Sequence, residues 1–190
     1  RAGVSGRAPP GPRLRASSGT AFRDPTFAEN YSSGFVTGNP DLKPERTRGL
    51  DLGVEQELLG VHLWAGVTGF AQRFENIIDY TGSTGACGFS YCNVAEARSD
   101  GVELELRGVL YRAFHLGAGA TLLRTEVLTP GFDNTSAGLY QAGESLIRRP
   151  ETTWTLELAY RAVSPLSGSA RVHVVGQRTD RDFRSFPATP

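Results

Sequence analysis

Gly38-Asn39-Pro40-Asp41-Leu42-Lys43-Pro44-Glu45, together with the run from Arg46 to Leu58 behind it, decides how this chain folds. Two prolines in so short a stretch forbid a helix and fix an extended turn. The run that follows alternates. Leu50, Leu52 and Val54 stand on one parity, and Asp51, Gly53 and Glu55 on the other. A period of two is the signature of a two-faced strand. A rigid loop feeding such strands is the plan that the rest of the chain repeats.

Working outward, Arg13 to Thr20 is expected to form a first strand, after an irregular Gly/Pro-rich opening over residues 1–12. Ala21 to Glu45 reads as one long connection. Leu59-Gly60 is a tight turn, and the strand after it runs to about Tyr80. Its parity is ambiguous, because Leu63, Ala65 and Val67 compete with Trp64 and Phe70; a bulge is one explanation. Thr81 to Asn93 reads as a loop. Val102, Leu104 and Leu106 then alternate with Glu103, Glu105 and Arg107. Phe114, Leu116, Ala118, Ala120 and Leu122 oppose His115, Gly117, Gly119 and Thr121. Thr129 to Ile147 is a further long loop. Trp154, Leu156, Leu158 and Tyr160 oppose Thr153, Thr155 and Glu157, and Ala170, Val172 and Val174 oppose Arg171 and His173.

The connections alternate between long and short. Successive antiparallel strands therefore place the long loops at one end and the short turns at the other, the asymmetry of outer-membrane barrels. Such strands need only about 9–11 residues to span a bilayer. The aromatic–Leu–Leu–aromatic face from Trp154 to Tyr160 fits an apolar band edged by interfacial rings. Alternation alone does not separate inside from outside, so a soluble antiparallel sandwich or barrel is the competing reading.

Composition narrows the functions. The 20 basic residues match the 20 acidic ones, which leaves no electrostatic footprint for nucleic acid. No nucleophile elbow, metal-binding helix motif or phosphate-binding glycine loop links the polar residues, so neither catalysis nor a cofactor is expected.

Several segments resemble those of one family, the TonB-dependent outer-membrane receptors. Gly19 to Phe27 resembles their strand-to-loop segment, and Gly38 to Glu45 their Asn-Pro-x-Leu-Lys-Pro-Glu loop. Phe74-Glu75-Asn76-Ile77-Ile78 resembles the end of the next strand. Asn93 to Glu103 resembles the Asn-x-x-x-Ala-x-x-x-Gly-x-Glu segment that opens the strand after it, and Arg148-Arg149-Pro150 resembles a later strand start. The resemblance implies an all-β, antiparallel transmembrane β-barrel, present here in part: about seven of about 22 strands. It implies the C-terminal portion of the barrel, with the plug domain not present over residues 1–190. The implied activity is uptake of cobalamin or a ferric siderophore, energised by TonB at the outer membrane of a Gram-negative bacterium. Implied partners are outer-membrane lipid and lipopolysaccharide, the plug, TonB and a small-molecule or metal-chelate ligand.

On that reading Asp51, Glu55, Glu103, Glu105, Arg107 and Glu157 face a wet lumen, and Gly53, Gly117 and Gly119 leave room for the plug. Phe27, Tyr31, Phe35, Phe89, Tyr91 and Tyr140, with Phe22, lie on long loops as ligand contacts or as loop packing. Cys87 and Cys92 fall in an extracellular loop, where oxidising conditions favour a disulfide over free thiols. A metal site there lacks further ligands. Arg148 and Arg149 are candidates for lipopolysaccharide phosphates or for a solvated strand end. The competing classes are a soluble β-sheet ligand-binding module and an outer-membrane barrel enzyme.

Overall fold

The computed structural model describes residues 2–7, 11–34, 36–58, 62–81, 90–111, 113–130, 141–161 and 166–180. Within them the chain forms strands β1 (Ala2–Arg7) and β2 (Arg13–Arg23), a short helix α1 (Phe27–Tyr31), and strands β3 (Glu45–Leu58), β4 (Leu63–Thr81), β5 (Ser90–Leu110), β6 (Phe114–Thr129), β7 (Thr152–Arg161) and β8 (Ser167–Val175). All eight strands lie in one sheet in chain order, each antiparallel to the next. It is an open, partial barrel.

Three expectations change. Residues 2–7 pair with β2, so the opening stretch is a strand and not irregular. The connection between β2 and β3 holds α1. Its start is fixed by a capping box, in which the Thr26 hydroxyl accepts from the Glu29 N–H and the Glu29 carboxylate accepts from the Thr26 N–H. The ambiguous strand β4 pairs with β3 without a break from Leu63 to Glu75. Its only register shifts lie between Phe74 and Ile78, where Asn76 takes a positive φ of 58°. Parity is therefore continuous: Leu63, Ala65 and Val67 share one face, and Trp64 and Phe70 share the other.

Register aligns the apolar positions across the sheet. Leu14 stands opposite Val54, Val54 opposite Val67, Val67 opposite Leu104, Leu104 opposite Ala120, and Ala120 opposite Trp154. Among the described residues no second layer covers this face: Leu104, Leu156 and Leu158 keep 40%, 51% and 44% of their surface exposed. A soluble sandwich would bury them against another sheet. The buried cluster instead sits at the long-loop end, where Cys92, Ala95 and Val127 pack with Ile77 and Leu146. At the short-turn end, Phe114 and Tyr160 stack on the uncovered face with ring centroids 5.1 Å apart. No helix among the described residues is long enough to cross a membrane, which says nothing about strands.

Candidate functional site: the cavity wall and the loop-bearing rim

The face opposite the apolar band curls around a cavity of about 650 Å³ lined by Asp51, Thr68, Phe70, Gln72, Glu103 and Thr121, among others. The strand period places Glu55, Glu105, Arg107 and Glu157 on the same wall. Those six charged residues were read from the sequence as one face, and the register puts them on one face. Their charges are largely paired. Arg15 reaches Glu55 at 3.3 Å and donates to the Thr68 hydroxyl at 2.6 Å. Ser17 donates to Asp51 at 2.8 Å, and Arg171 donates to Glu157 at 2.6 Å. Arg107 lies 3.6 Å from Glu105 and stacks 4.1 Å above the Trp64 ring. Glu103 has no ion pair among the described residues.

Glycine does two separate jobs here. A Cβ on Gly101 would sit 2.4 Å from the Leu122 carbonyl oxygen and 2.6 Å from the Phe70 ring, so that ring can lie flat over the wall only because the position is glycine. A Cβ on Gly53 would collide with the Arg15 side chain at 2.5 Å; its space is filled by this chain's own arginine. Gly117 and Gly119 meet nothing closer than 3.7 Å and leave the wall open.

At the long-loop rim, the Pro-rich loop is a brace. The Asn39 amide donates to the Tyr91 carbonyl at 3.0 Å, and its oxygen accepts from the Asp41 N–H. The Asn93 side chain accepts from the Lys43 N–H and donates to the carbonyls of Lys43 and Asn76, at 2.8 to 2.9 Å. Glu45 takes a two-pronged contact from Arg23, at 2.8 and 3.0 Å, and accepts from the Ile78 N–H at 2.8 Å. Arg23 also holds Glu29 at 3.0 Å, which ties α1 to the strand ends. Partial burial pushes the Glu29 carboxyl up, but bonds from the Thr26 N–H, the Thr26 hydroxyl and Arg23 outweigh it and hold it below the ordinary range. Gly38 passes so close to the end of α1 that a Cβ would lie 2.5 Å from Asn30 and Tyr31 backbone atoms.

The proposed loop aromatics divide. Phe27 and Tyr31 are exposed on α1, with centroids 5.2 Å apart. Tyr91 lies in β5 and not in a loop, and packs edge-on to Tyr80 at 5.9 Å. Phe22 lies in β2 on the apolar-band face. Phe35, Phe89 and Tyr140 lie outside the described residues, as does Cys87. Cys92 is buried and disulfide-bonded. Arg148 pairs with Asp180 at 2.9 Å, and Arg149 lines the cavity. No group of three or more metal-binding side chains occurs among the described residues. Sequence reasoning missed the brace made by Asn39, Asn93 and Glu45; its signal was the pair of asparagines flanking the proline loop and the next strand start.

Comparison with known proteins agrees with this geometry. The family model for the TonB dependent receptor-like β-barrel matches residues 1–189. The Vitamin B12 transporter BtuB of Vibrio cholerae is 27% identical over 176 residues, which are 92% of this chain and 25% of that protein. BtuB of Vibrio vulnificus is 34% identical over 92 residues, 47% of this chain and 14% of that protein. Among solved structures, the siderophore receptor PiuA from Acinetobacter baumannii superposes with a TM-score of 0.66 at 21% identity, over 91% of this chain and 25% of that one. The ferric-catecholate import receptor Fiu from E. coli gives 0.64 at 20% identity, over 92% and 24%. The chain spans about a quarter or less of the length of these relatives.

Proposed function

The chain belongs to the TonB-dependent receptor β-barrel family of the Gram-negative outer membrane, and from that premise we propose that it is the C-terminal part of the barrel wall of an importer for a scarce ligand. The observation that carries the reading is the pairing of an uncovered apolar face with a polar, cavity-lining face on the same strands. Membership in a receptor family sets the enzyme reading aside, and the bare apolar face argues against a soluble module.

In this mechanism the apolar band meets lipid and the charged wall meets water and a plug domain. Ligand is captured at the long-loop rim, with Phe27 and Tyr31 as contacts, and a TonB-driven movement of the plug opens the path inward. No covalent chemistry is involved. Gly117 and Gly119 give the plug room against the wall, and Glu103, which has no ion pair among the described residues, offers it a carboxylate. In this reading the disulfide partner of Cys92, near the start of β5, is Cys87, the only other cysteine of the sequence. Closing so short a ring is worth roughly 2 kcal/mol in the chain-entropy model.

Cobalamin is the favoured cargo over a ferric siderophore. The likeness to two proteins described as vitamin B12 transporters, over most of the chain in one case, supports it. The test is uptake of a radiolabelled panel by cells expressing the full-length protein, with and without TonB. TonB-dependent cobalamin uptake is expected; uptake of iron chelates without cobalamin refutes the preference.

A further inference from the structure

At the long-loop rim, the wall beside β6 is not made of a strand. The β6–β7 ladder ends at Leu122 opposite Thr152, although β6 runs on to Thr129. Residues 143–151 take the missing place as a strap. The Leu123 N–H donates to the Glu151 carbonyl, the Val127 N–H to the Glu144 carbonyl, and the Gly143 N–H to the Val127 carbonyl. Leu146 packs against the buried cluster of Cys92, Ala95 and Val127, and its N–H donates to the Thr125 hydroxyl at 3.0 Å. On the other side the Arg148 N–H donates to the Thr179 carbonyl, and its guanidinium donates to Asp180 at 2.9 Å. Gly143 and Arg148 take positive φ values of 89° and 60°. For an arginine that conformation persists only where its surroundings hold it.

The strap is thus pegged before and after Arg149, which it presents to the 650 Å³ cavity. Arg148 is spent on Asp180, whereas Arg149 forms no ion pair among the described residues. Phe70, Leu123 and Ile147 line the same cavity as apolar surface, and Gln72 and Ser99 as neutral polar groups. The acidic residues of the lining leave this charge standing. Glu45 is held by Arg23, and Asp51 accepts from Ser17. Arg46 and Glu75 also border the cavity but stand opposite one another on the outer parity, as a cross-strand pair of opposite charge. Glu103 stands opposite Thr121, two to four residue steps from the strap anchors at Leu123 and Thr125, about 7–13 Å nearer the short turns.

The geometry points to Arg149 as a specificity-determining residue of import, which reads one phosphodiester on the cargo while the adjoining ring lies on Phe70, Leu123 and Ile147. A guanidinium pairs in a two-pronged way with the two free oxygens of a phosphodiester. One such group beside an apolar surface suits a single delocalised charge attached to a ring, and suits a polyanionic chelate less. Cobalamin carries that combination, a lone phosphodiester between its corrin and a benzimidazole base. The assignment rests on the cobalamin reading above and adds the end of the molecule that faces the strap.

The test uses the full-length receptor purified in detergent and the equilibrium binding of cyanocobalamin and of cobinamide, the same corrin without the phosphodiester and its base. Arg149→Gln should weaken cyanocobalamin binding at least fivefold and leave cobinamide within twofold. Arg149→Lys, which keeps the charge but loses the fork, should fall between wild type and Arg149→Gln. Arg98→Gln, on the outer face, should change neither. An equal loss for both corrins overturns the assignment, because it marks a strap that no longer holds. No loss for cyanocobalamin overturns it too, because Arg149 then meets the plug and not the cargo. Should wild type bind neither corrin, the cobalamin reading falls, and bis-para-nitrophenyl phosphate, a phosphodiester flanked by aromatic rings, decides the site alone. Retention by wild type at least fivefold above Arg149→Gln then supports the site, and equal retention overturns it. If Arg149→Gln gives no heat-resistant barrel on a gel, Arg149→Lys takes its place: a loss of at least twofold confined to the phosphodiester ligand is expected, and its absence overturns the site.

Discussion

Replacing Asn93 with alanine should release the proline loop from the barrel. The Asn93 amide is fully employed: its oxygen accepts from the Lys43 N–H, and its nitrogen donates to the carbonyls of Lys43 and Asn76. Each such bond contributes about 0.5–1.5 kcal/mol net. Two of the three are solvent-exposed, so the lower part of the sum applies, about 2 kcal/mol. That loss falls on local opening and not on the whole barrel, because the strand pairing on either side stays intact. At about 1.4 kcal/mol per decade, the Lys43 amide should exchange roughly 30-fold faster. The assay is hydrogen exchange with mass spectrometry on the full-length protein in lipid, following peptides that cover residues 38–46. Asn93→Asp keeps the acceptor for Lys43 but loses both donors, so it should fall between wild type and alanine. Exchange changed less than twofold in Asn93→Ala, or acceleration spread evenly over every strand, would refute the brace.

Other outcomes follow from the same geometry. Leu104→Arg, in the middle of the apolar band, should cost about 2–4 kcal/mol of folding stability in lipid vesicles, while Glu103→Arg next to it should cost far less; denaturant titration of the full-length barrel checks both. Gly101→Ala should lower the yield of folded barrel, with a cost of about 1–3 kcal/mol, because the obstructing Leu122 carbonyl is backbone and cannot turn aside; adding Phe70→Ala should restore only part of it. The Glu29 carboxyl lies below its ordinary value near 4.5, so its contribution to α1 is present above that pH and is lost as pH falls through the depressed value. Protection of the α1 amides, measured by hydrogen exchange and corrected for intrinsic rate, should stay level from pH 7 to about 5 and drop below 4.5, and Glu29→Gln should abolish the pH dependence.

Where the sequence alternates strictly, its reading of the fold holds. Leu50 to Glu55, Val102 to Arg107 and Trp154 to Tyr160 each divide between the two faces as expected, because there each face keeps one polarity along the strand. Legibility fails where that condition fails. Trp64 and Phe70 are apolar residues on the cavity wall, one stacked under Arg107 and the other lying over Gly101, so period alone could not assign β4. Strand β5 begins at Ser90, inside the stretch from Thr81 to Asn93 whose Gly-Ser-Cys composition reads as loop. Strand β1 is made of small residues and arginine and is exposed throughout, so it lacks any pattern to detect. Helix α1 was detectable in principle, since Thr26-Phe27-Ala28-Glu29 carries the capping-box spacing. At the rim, the proline loop was legible as a motif but not as a brace, because the partners that employ Asn39, Asn93 and Glu45 lie up to some fifty positions away in sequence.

The claim beneath all of this is that one face of the sheet meets lipid and the other meets water. Spin labels placed singly at residues 102 to 107 of the full-length protein in bilayers test it directly, through collision with oxygen dissolved in lipid and with a water-soluble nickel chelate. Labels at Val102, Leu104 and Leu106 should collide with oxygen, and those at Glu103, Glu105 and Arg107 should not, with a period of two. Equal access of the nickel chelate to all six positions, or the opposite phase, would contradict it.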